Sequence, residues 1–171
     1  MHIRAAEPAD LAGILAIYNE VIAHSTAIYA VAPSTLEERR GGFEARRAAG
    51  FPVLVCAQGG EVTGYASFGE WRGAWAGYRH TVEHSVHVRA DRRGAGLGQG
   101  LVEALFPLAQ DMGMHVMVGA IDAANAGSIR FHQRLGFSEA GHFREVGRKF
   151  GRWLDLVFLQ RFLDAPGAPR P

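Results

Sequence analysis

Cysteine is nearly missing from this sequence: Cys56 stands alone among 171 residues. An internal disulfide is therefore excluded. The apolar flanks in PVLVCA read Cys56 as a small core thiol on a buried strand rather than as a nucleophile. Long apolar runs are missing too. No stretch approaches the roughly 20 residues that a membrane-spanning helix needs. The opening MHIRAAEPAD is polar and turns acidic at Glu7, unlike a signal peptide. Nor is there a surplus of one charge. Lys and Arg number 18 against 17 Asp and Glu, a net +1 that argues against a broad nucleic-acid surface. These absences fit a soluble cytoplasmic protein with neither a membrane nor a nucleic acid as partner.

What is present is enough for a core. Hydrophobic residues make up 48% of the chain, and its length suits one domain. That domain is expected over 1–163, with DAPGAPRP, 164–171, as a flexible tail. HIRAA reads as a short strand. A helix is expected from about Pro8, with Leu11, Ile14, Leu15, Tyr18, Val21 and Ile22 at helical spacing. Ser34 and Glu37 form a capping-box pattern opening a second helix that ends near Gly50. FPVLVCAQ, the turn GG and EVTGYASFG read as a hairpin, and the aromatic EWRGAWAGYR as a loop.

HTVEHSVHV is the next strand, and a glycine loop follows it. A helix is then predicted from about Gly98 to Met112. Pro107 inside it predicts a kink or altered ends, since a mid-helix proline costs about 3 kcal/mol. HVMVGAI reads as a strand, NAGSIRFHQRLGF as a helix closed by Gly136, and the remainder as two strands around a Gly/Lys turn. Alternation puts Glu83, Ser85 and His87 on one face of their strand and Val82, His84, Val86 and Val88 on the other. His80, His84 and His87 therefore do not converge, and no metal is expected.

The glycine loop carries chemistry. Between a strand and a helix, bare backbone N–H groups converge on an anion and the helix dipole adds to them. Arg92 and Arg93 bring positive charge beside it. The loop thus reads as a phosphate or pyrophosphate cradle, with a flexible surface turn as the plain alternative. A Walker A loop requires a lysine that does not follow these glycines, and a dinucleotide fingerprint requires a different glycine spacing early in a βαβ unit.

Two motifs carry a resemblance. Arg93-Gly94-Ala95-Gly96-Leu97-Gly98 is R-x-x-G-x-G, and Asn125, Ser128, Gly136 and Phe137 match a second signature. Together they resemble the GNAT superfamily of N-acetyltransferases. FPVLV, VTGYASFGEWR, GYRHTVEHSV, SIRFHQRLGF and VGRKFGRWLDLVF further resemble its phosphinothricin and methionine sulfoximine N-acetyltransferases. The resemblance implies an α/β (α+β) fold. Its centre would be a mixed, mostly antiparallel twisted sheet of about seven strands, splayed at the fourth and fifth and flanked by about four helices.

It also implies acetyl-CoA as cosubstrate, without a metal. Main-chain amides along Arg93, Gly94, Ala95, Gly96, Leu97, Gly98 and Gln99 would hold the pyrophosphate. A bulged strand at Val86, His87 and Val88 would hold the pantetheine, with Asn125 and Ser128 as polar contacts. Acetyl transfer needs a free amine, and an amino acid at pH 7 is mostly ammonium. A carboxylate must take that proton, and Glu83 is the acid on the strand before the loop. His132 stands where most members have tyrosine and is a candidate donor to the departing thiolate.

For the acceptor, the loop carries Arg72 and Arg79, suited to a carboxylate. Gly73, Ala74, Trp75, His84 and Ser85 are further candidate contacts, with Ile28 and Tyr29 as an apolar side. The resemblance also implies an isologous homodimer, in which Lys149, Phe150 and Trp153 reach toward the partner's site. The expected activity is N-acetylation of methionine sulfoximine, methionine sulfone or phosphinothricin. Other amines (a polyamine, an aminoglycoside, a protein N-terminus) and a non-catalytic CoA sensor are the alternatives.

Overall fold

Seven strands and four α-helices alternate along residues 2–163, which a computed structural model describes. The expected tail, 164–171, lies outside the described residues. Strand β1 (His2–Ala5) leads through a short 3-10 turn into α1 (Leu11–His24), then α2 (Leu36–Ala48). Strands β2 (Val53–Gln58), β3 (Glu61–Glu70) and β4 (Thr81–Val88) follow, then α3 (Leu97–Asp111), β5 (Val116–Asp122) and α4 (Ala126–Arg134). A closing hairpin pairs β6 (Ser138–Lys149) with β7 (Arg152–Phe162). The sheet order is β1-β2-β3-β4-β5-β7-β6, antiparallel except between β4 and β5.

That single parallel pair is short. It joins Thr81–Glu83 to Val116–Val118 and stops, although β4 continues to Val88 and β5 to Asp122. The sheet therefore opens between its central strands, as expected. The expected bulge in β4 is not found. Its register with β3 runs unbroken from Glu70↔Val82 to Gly64↔Val88. Every β4 residue stays in phase, so the alternation read from the sequence needs no one-residue shift. The gap comes from β5 leaving β4.

Local chemistry explains the helices. In α1, Leu11, Ile14, Ile17 and Val21 recur at three- and four-residue intervals and are buried. Asp10, also buried, accepts hydrogen bonds from Arg4 at 2.6 and 2.8 Å and from the Glu7 N–H at 2.8 Å. The Arg4 guanidinium holds this carboxyl below its ordinary range. The capping box of α2 sits one residue later than expected. The Thr35 hydroxyl accepts from the Glu38 N–H at 3.2 Å, and the Glu38 carboxylate accepts from the Thr35 N–H at 2.9 Å. Ser34 is spent elsewhere, its main chain paired with the Asn19 amide at 2.8 and 2.9 Å. Helix α3 runs through Pro107 to Asp111. Only one turn follows the proline, which gives up the hydrogen bond to the Glu103 carbonyl.

The helices cover both faces of the sheet. On one, α1 and α2 enclose Leu11, Ile14, Phe43, Val55 and Tyr65. On the other, Leu101, Val102 and Leu105 of α3 pack against Phe68, Met117 and Leu159. Cys56 is fully buried in this second core, as its flanks suggested. Replacing Leu101, which has no exposed surface, by alanine is expected to cost about 2–5 kcal/mol of unfolding free energy, measured by urea titration.

Candidate active site

The parted strands leave main-chain groups facing the gap. The Arg89 N–H donates to the Thr63 carbonyl at 2.9 Å, and the Trp71 N–H to the Thr81 carbonyl at 3.3 Å, so odd-numbered residues of β4 face β3. The His80 carbonyl accepts from the His115 N–H at 2.8 Å, so even-numbered ones face β5. Pairing with β5 ends at Glu83, leaving Val86 and Val88 along an edge that no strand covers among the described residues. Arg93 Nε donates to the Val88 carbonyl at 3.1 Å. His87, grouped with them from the sequence, turns its main chain to β3 instead. Its ring lies 5.3 Å from that of Tyr65.

Beyond β4 the chain makes the glycine loop. Gly96 is the N-cap of α3 at φ +77°, in the left-handed region that a side chain disfavours, and no side chain caps the helix there. The leading N–H groups of Leu97, Gly98 and Gln99 thus point out of a bare helix start. Arg92 and Arg93 stand beside it, Arg93 4.0 Å from Glu20.

A cleft of about 430 Å³ crosses the sheet at the gap, with Glu83 to His87 as its floor. Glu83 is half-buried, and that burial raises its pKa. His84 is buried with both ring nitrogens unpartnered among the described residues, its ring 5.1 Å from His132 and 5.3 Å from Phe137. Burial lowers its pKa to about 3, and that of His87 to about 4.

His132 is tied to its own helix. Its Nδ1 lies 2.8 Å from the Ser128 carbonyl, which can only accept, so Nδ1 carries the proton. Burial lowers its pKa as well, favouring the neutral ring. In that tautomer Nε2 carries a lone pair, so the donation expected toward the thiolate requires the protonated ring. Asn125 caps α4, its Oδ1 accepting from the Ser128 N–H at 3.0 Å, and both residues line the cleft.

The acceptor candidates divide. Ile28 and Tyr29 line the cleft beside His84 and Ser85. Arg72, Gly73, Ala74, Trp75 and Arg79 do not. Arg72 lies 5.2 Å from the Trp75 ring and 5.5 Å from the Tyr78 ring, so the aromatic loop closes on itself. Arg79 turns to the Ala76 carbonyl, at 3.4 Å. Lys149, expected to reach toward a partner's site, is buried in its own chain. Its Nζ donates to the carbonyls of Ser25 at 2.8 Å and Ile28 at 2.7 Å. Tyr29 is fixed by the same hairpin. Its hydroxyl donates to the Asp155 carbonyl at 2.8 Å, and its ring packs against Gly147, where a Cβ would come within 2.4 Å of it.

Three cleft residues went unread in the sequence. Asp122, buried at the end of β5, accepts from the Thr26 hydroxyl. Arg39 and Arg46 of α2 line the wall above Tyr65. Their seven-residue spacing, which puts both on one helix face, was the available signal.

Comparison with known proteins agrees with this geometry. The acetyltransferase (GNAT) domain family matches residues 3–158. The L-methionine sulfoximine/L-methionine sulfone acetyltransferase of Pseudomonas paraeruginosa is 53% identical over 95% of this chain and 94% of its own. Among solved structures, the ribosomal-protein-alanine N-acetyltransferase of Brucella melitensis is 44% identical. It covers 95% of this chain and 99% of its own, with a TM-score of 0.92. The GNAT superfamily phosphinothricin acetyltransferase of Sinorhizobium meliloti, in complex with AcCoA, is 34% identical. It covers 99% of this chain and 92% of its own, with a TM-score of 0.93.

The buried imidazoles set a pH dependence of stability. His84 and His87 protonate freely in the unfolded chain near 6.5 but resist it when folded, so the unfolded state binds more protons below that value. Their contribution to stability is fully present above about pH 6.5 and is lost as pH falls toward 4. Thermal melts between pH 8 and 4 are expected to show that fall, and His84→Phe to make it shallower.

Proposed function

This chain belongs to the acetyltransferase (GNAT) family, and from that premise we propose that it acetylates the α-amino group of small amino-acid analogues, with methionine sulfone, methionine sulfoximine and phosphinothricin as the acceptor class. The observation that carries this reading is Glu83: a half-buried carboxylate, its pKa raised by burial, at the point where β4 and β5 part.

The residues present fit acetyl-CoA. The uncovered β4 edge at Val86 and Val88 suits the pantetheine amides, and the bare start of α3 after Gly96 suits the diphosphate. Bound there, the cosubstrate supplies a thioester acyl group. Everything else falls to the chain. Glu83 takes a proton from the acceptor's ammonium, directly or through one water, and its raised pKa brings it closer to that task. Ile28 and Tyr29 hold the acceptor's apolar side.

A protein N-terminus is the second reading, favoured by the name of the Brucella relative. A homodimer is part of the proposal. Phe143, Val146, Phe150 and Trp153 on the β6–β7 hairpin are each more than half exposed, which suits a covered apolar face. The proposed setting is the cytoplasm, where one buried thiol needs no oxidising compartment, and the proposed role is detoxification of such analogues.

Thiol release from acetyl-CoA across free amino acids, these analogues and an alanyl peptide tests the acceptor class. Turnover of the peptide alone would favour the second reading. Glu83→Gln is expected to lower kcat/KM by roughly 10²–10⁴-fold at neutral pH and to erase the acid limb of the pH–rate profile. An unchanged profile sinks the assignment of the base.

A further inference from the structure

Arg39 and Arg46 share the cleft with Glu83 yet have no carboxylate within ion-pair distance among the described residues. Arg39 places its guanidinium 4.0 Å over the Tyr18 ring, and its Nε donates to the Ser34 hydroxyl at 3.2 Å. The neighbouring Glu38 is turned to the helix cap. Arg46 makes one long contact, 3.4 Å to the Gly42 carbonyl. Most of the donors on these two planar forks are thus uncommitted.

Position ties them to the chemistry. Gly69 is the register partner of Glu83 across β3 and β4. Arg46 Nε lies 3.9 Å from where a Cβ on Gly69 would stand. Directly opposed residues point to the same face with their Cβ atoms about 5 Å apart. Arg46 therefore stands one cross-strand step from Glu83, on the face that Glu83 presents. Both arginines also oppose the rise in the pKa of Tyr65, so their charges bear on one point of the cleft wall.

We propose that Arg39 and Arg46 form an anion clamp for the acceptor's α-carboxylate, set beside Glu83 so that one zwitterion meets base and clamp together. The inference rests on the acetyl-transfer reading above and deepens it. The clamp selects acceptors that carry an anionic group next to the amine. It disfavours polyamines and aminoglycosides, which bring only positive charge, and peptides, whose carboxylate is remote. It also assigns a task given from the sequence to Arg72 and Arg79, which lie outside the cleft.

The test is a cycle of enzyme and acceptor changes, read as steady-state KM and kcat. Wild type, Arg39→Met, Arg46→Met and Arg46→Lys are each assayed with methionine sulfone and with its α-carboxamide. Each Met variant is expected to raise KM for methionine sulfone roughly ten- to a hundredfold, to change KM for the carboxamide far less, and to leave KM for acetyl-CoA in place. Arg46→Lys keeps the charge without the fork and is expected to recover part of the loss. Equal losses with both acceptors, or no loss with either, overturn the clamp. A wild type that releases no thiol with any free amino acid overturns the acceptor reading itself, a separate failure seen before any variant is made.

Discussion

The parting of β4 from β5 after Glu83 is the constraint on which the rest depends. Three pairs of residues hold the strands together, Thr81 to Glu83 against Val116 to Val118, and then the ladder ends. Main-chain groups in a sheet normally leave no vacancy. Here Val86 and Val88 retain hydrogen-bonding capacity on a rigid strand whose other edge is fully paired. A ligand that adds to this edge meets a preformed partner and need not order a loop. The same divergence opens the cleft, turns Glu83 into it, and leaves room for His84 and His132 on the opposite side.

Charge in the cleft is arranged by desolvation as much as by pairing. Glu83 is raised by burial, while His84, His87 and His132 are all lowered by burial toward their neutral forms. Burial thus acts on carboxylate and imidazoles in the same sense, toward the uncharged form. The positive charge sits on the wall, in Arg39 and Arg46, and beside the glycine loop, in Arg92 and Arg93. On the proposed reading, base, acceptor anion and diphosphate address different groups, with no two competing for the same partner.

Much of this was legible because short-range rules governed it. Alternation along HTVEHSVHV sorted Glu83, Ser85 and His87 from His84 and the valines, and the unbroken pairing of β4 with β3 preserved that order. The glycine loop announced a strand-to-helix junction with a bare start. What escaped was long-range or conformational. Thr35 rather than Ser34 caps α2 because Asn19, distant in sequence, claims the Ser34 main chain. Arg39 and Arg46 went unread, because only the packing of α2 over Tyr65 makes them a wall. The tautomer of His132 follows from one carbonyl, and Lys149 was misplaced because its partners lie over 120 residues away.

That last contact has a further consequence. A single ammonium, with the Tyr29 ring on Gly147, rivets the segment after α1 to the final hairpin, and this segment forms one side of the cleft. Two stretches from opposite ends of the chain therefore behave as one interchangeable part. A graft meant to retune which amines are accepted would have to carry both stretches together, because either one alone would arrive without its fastener.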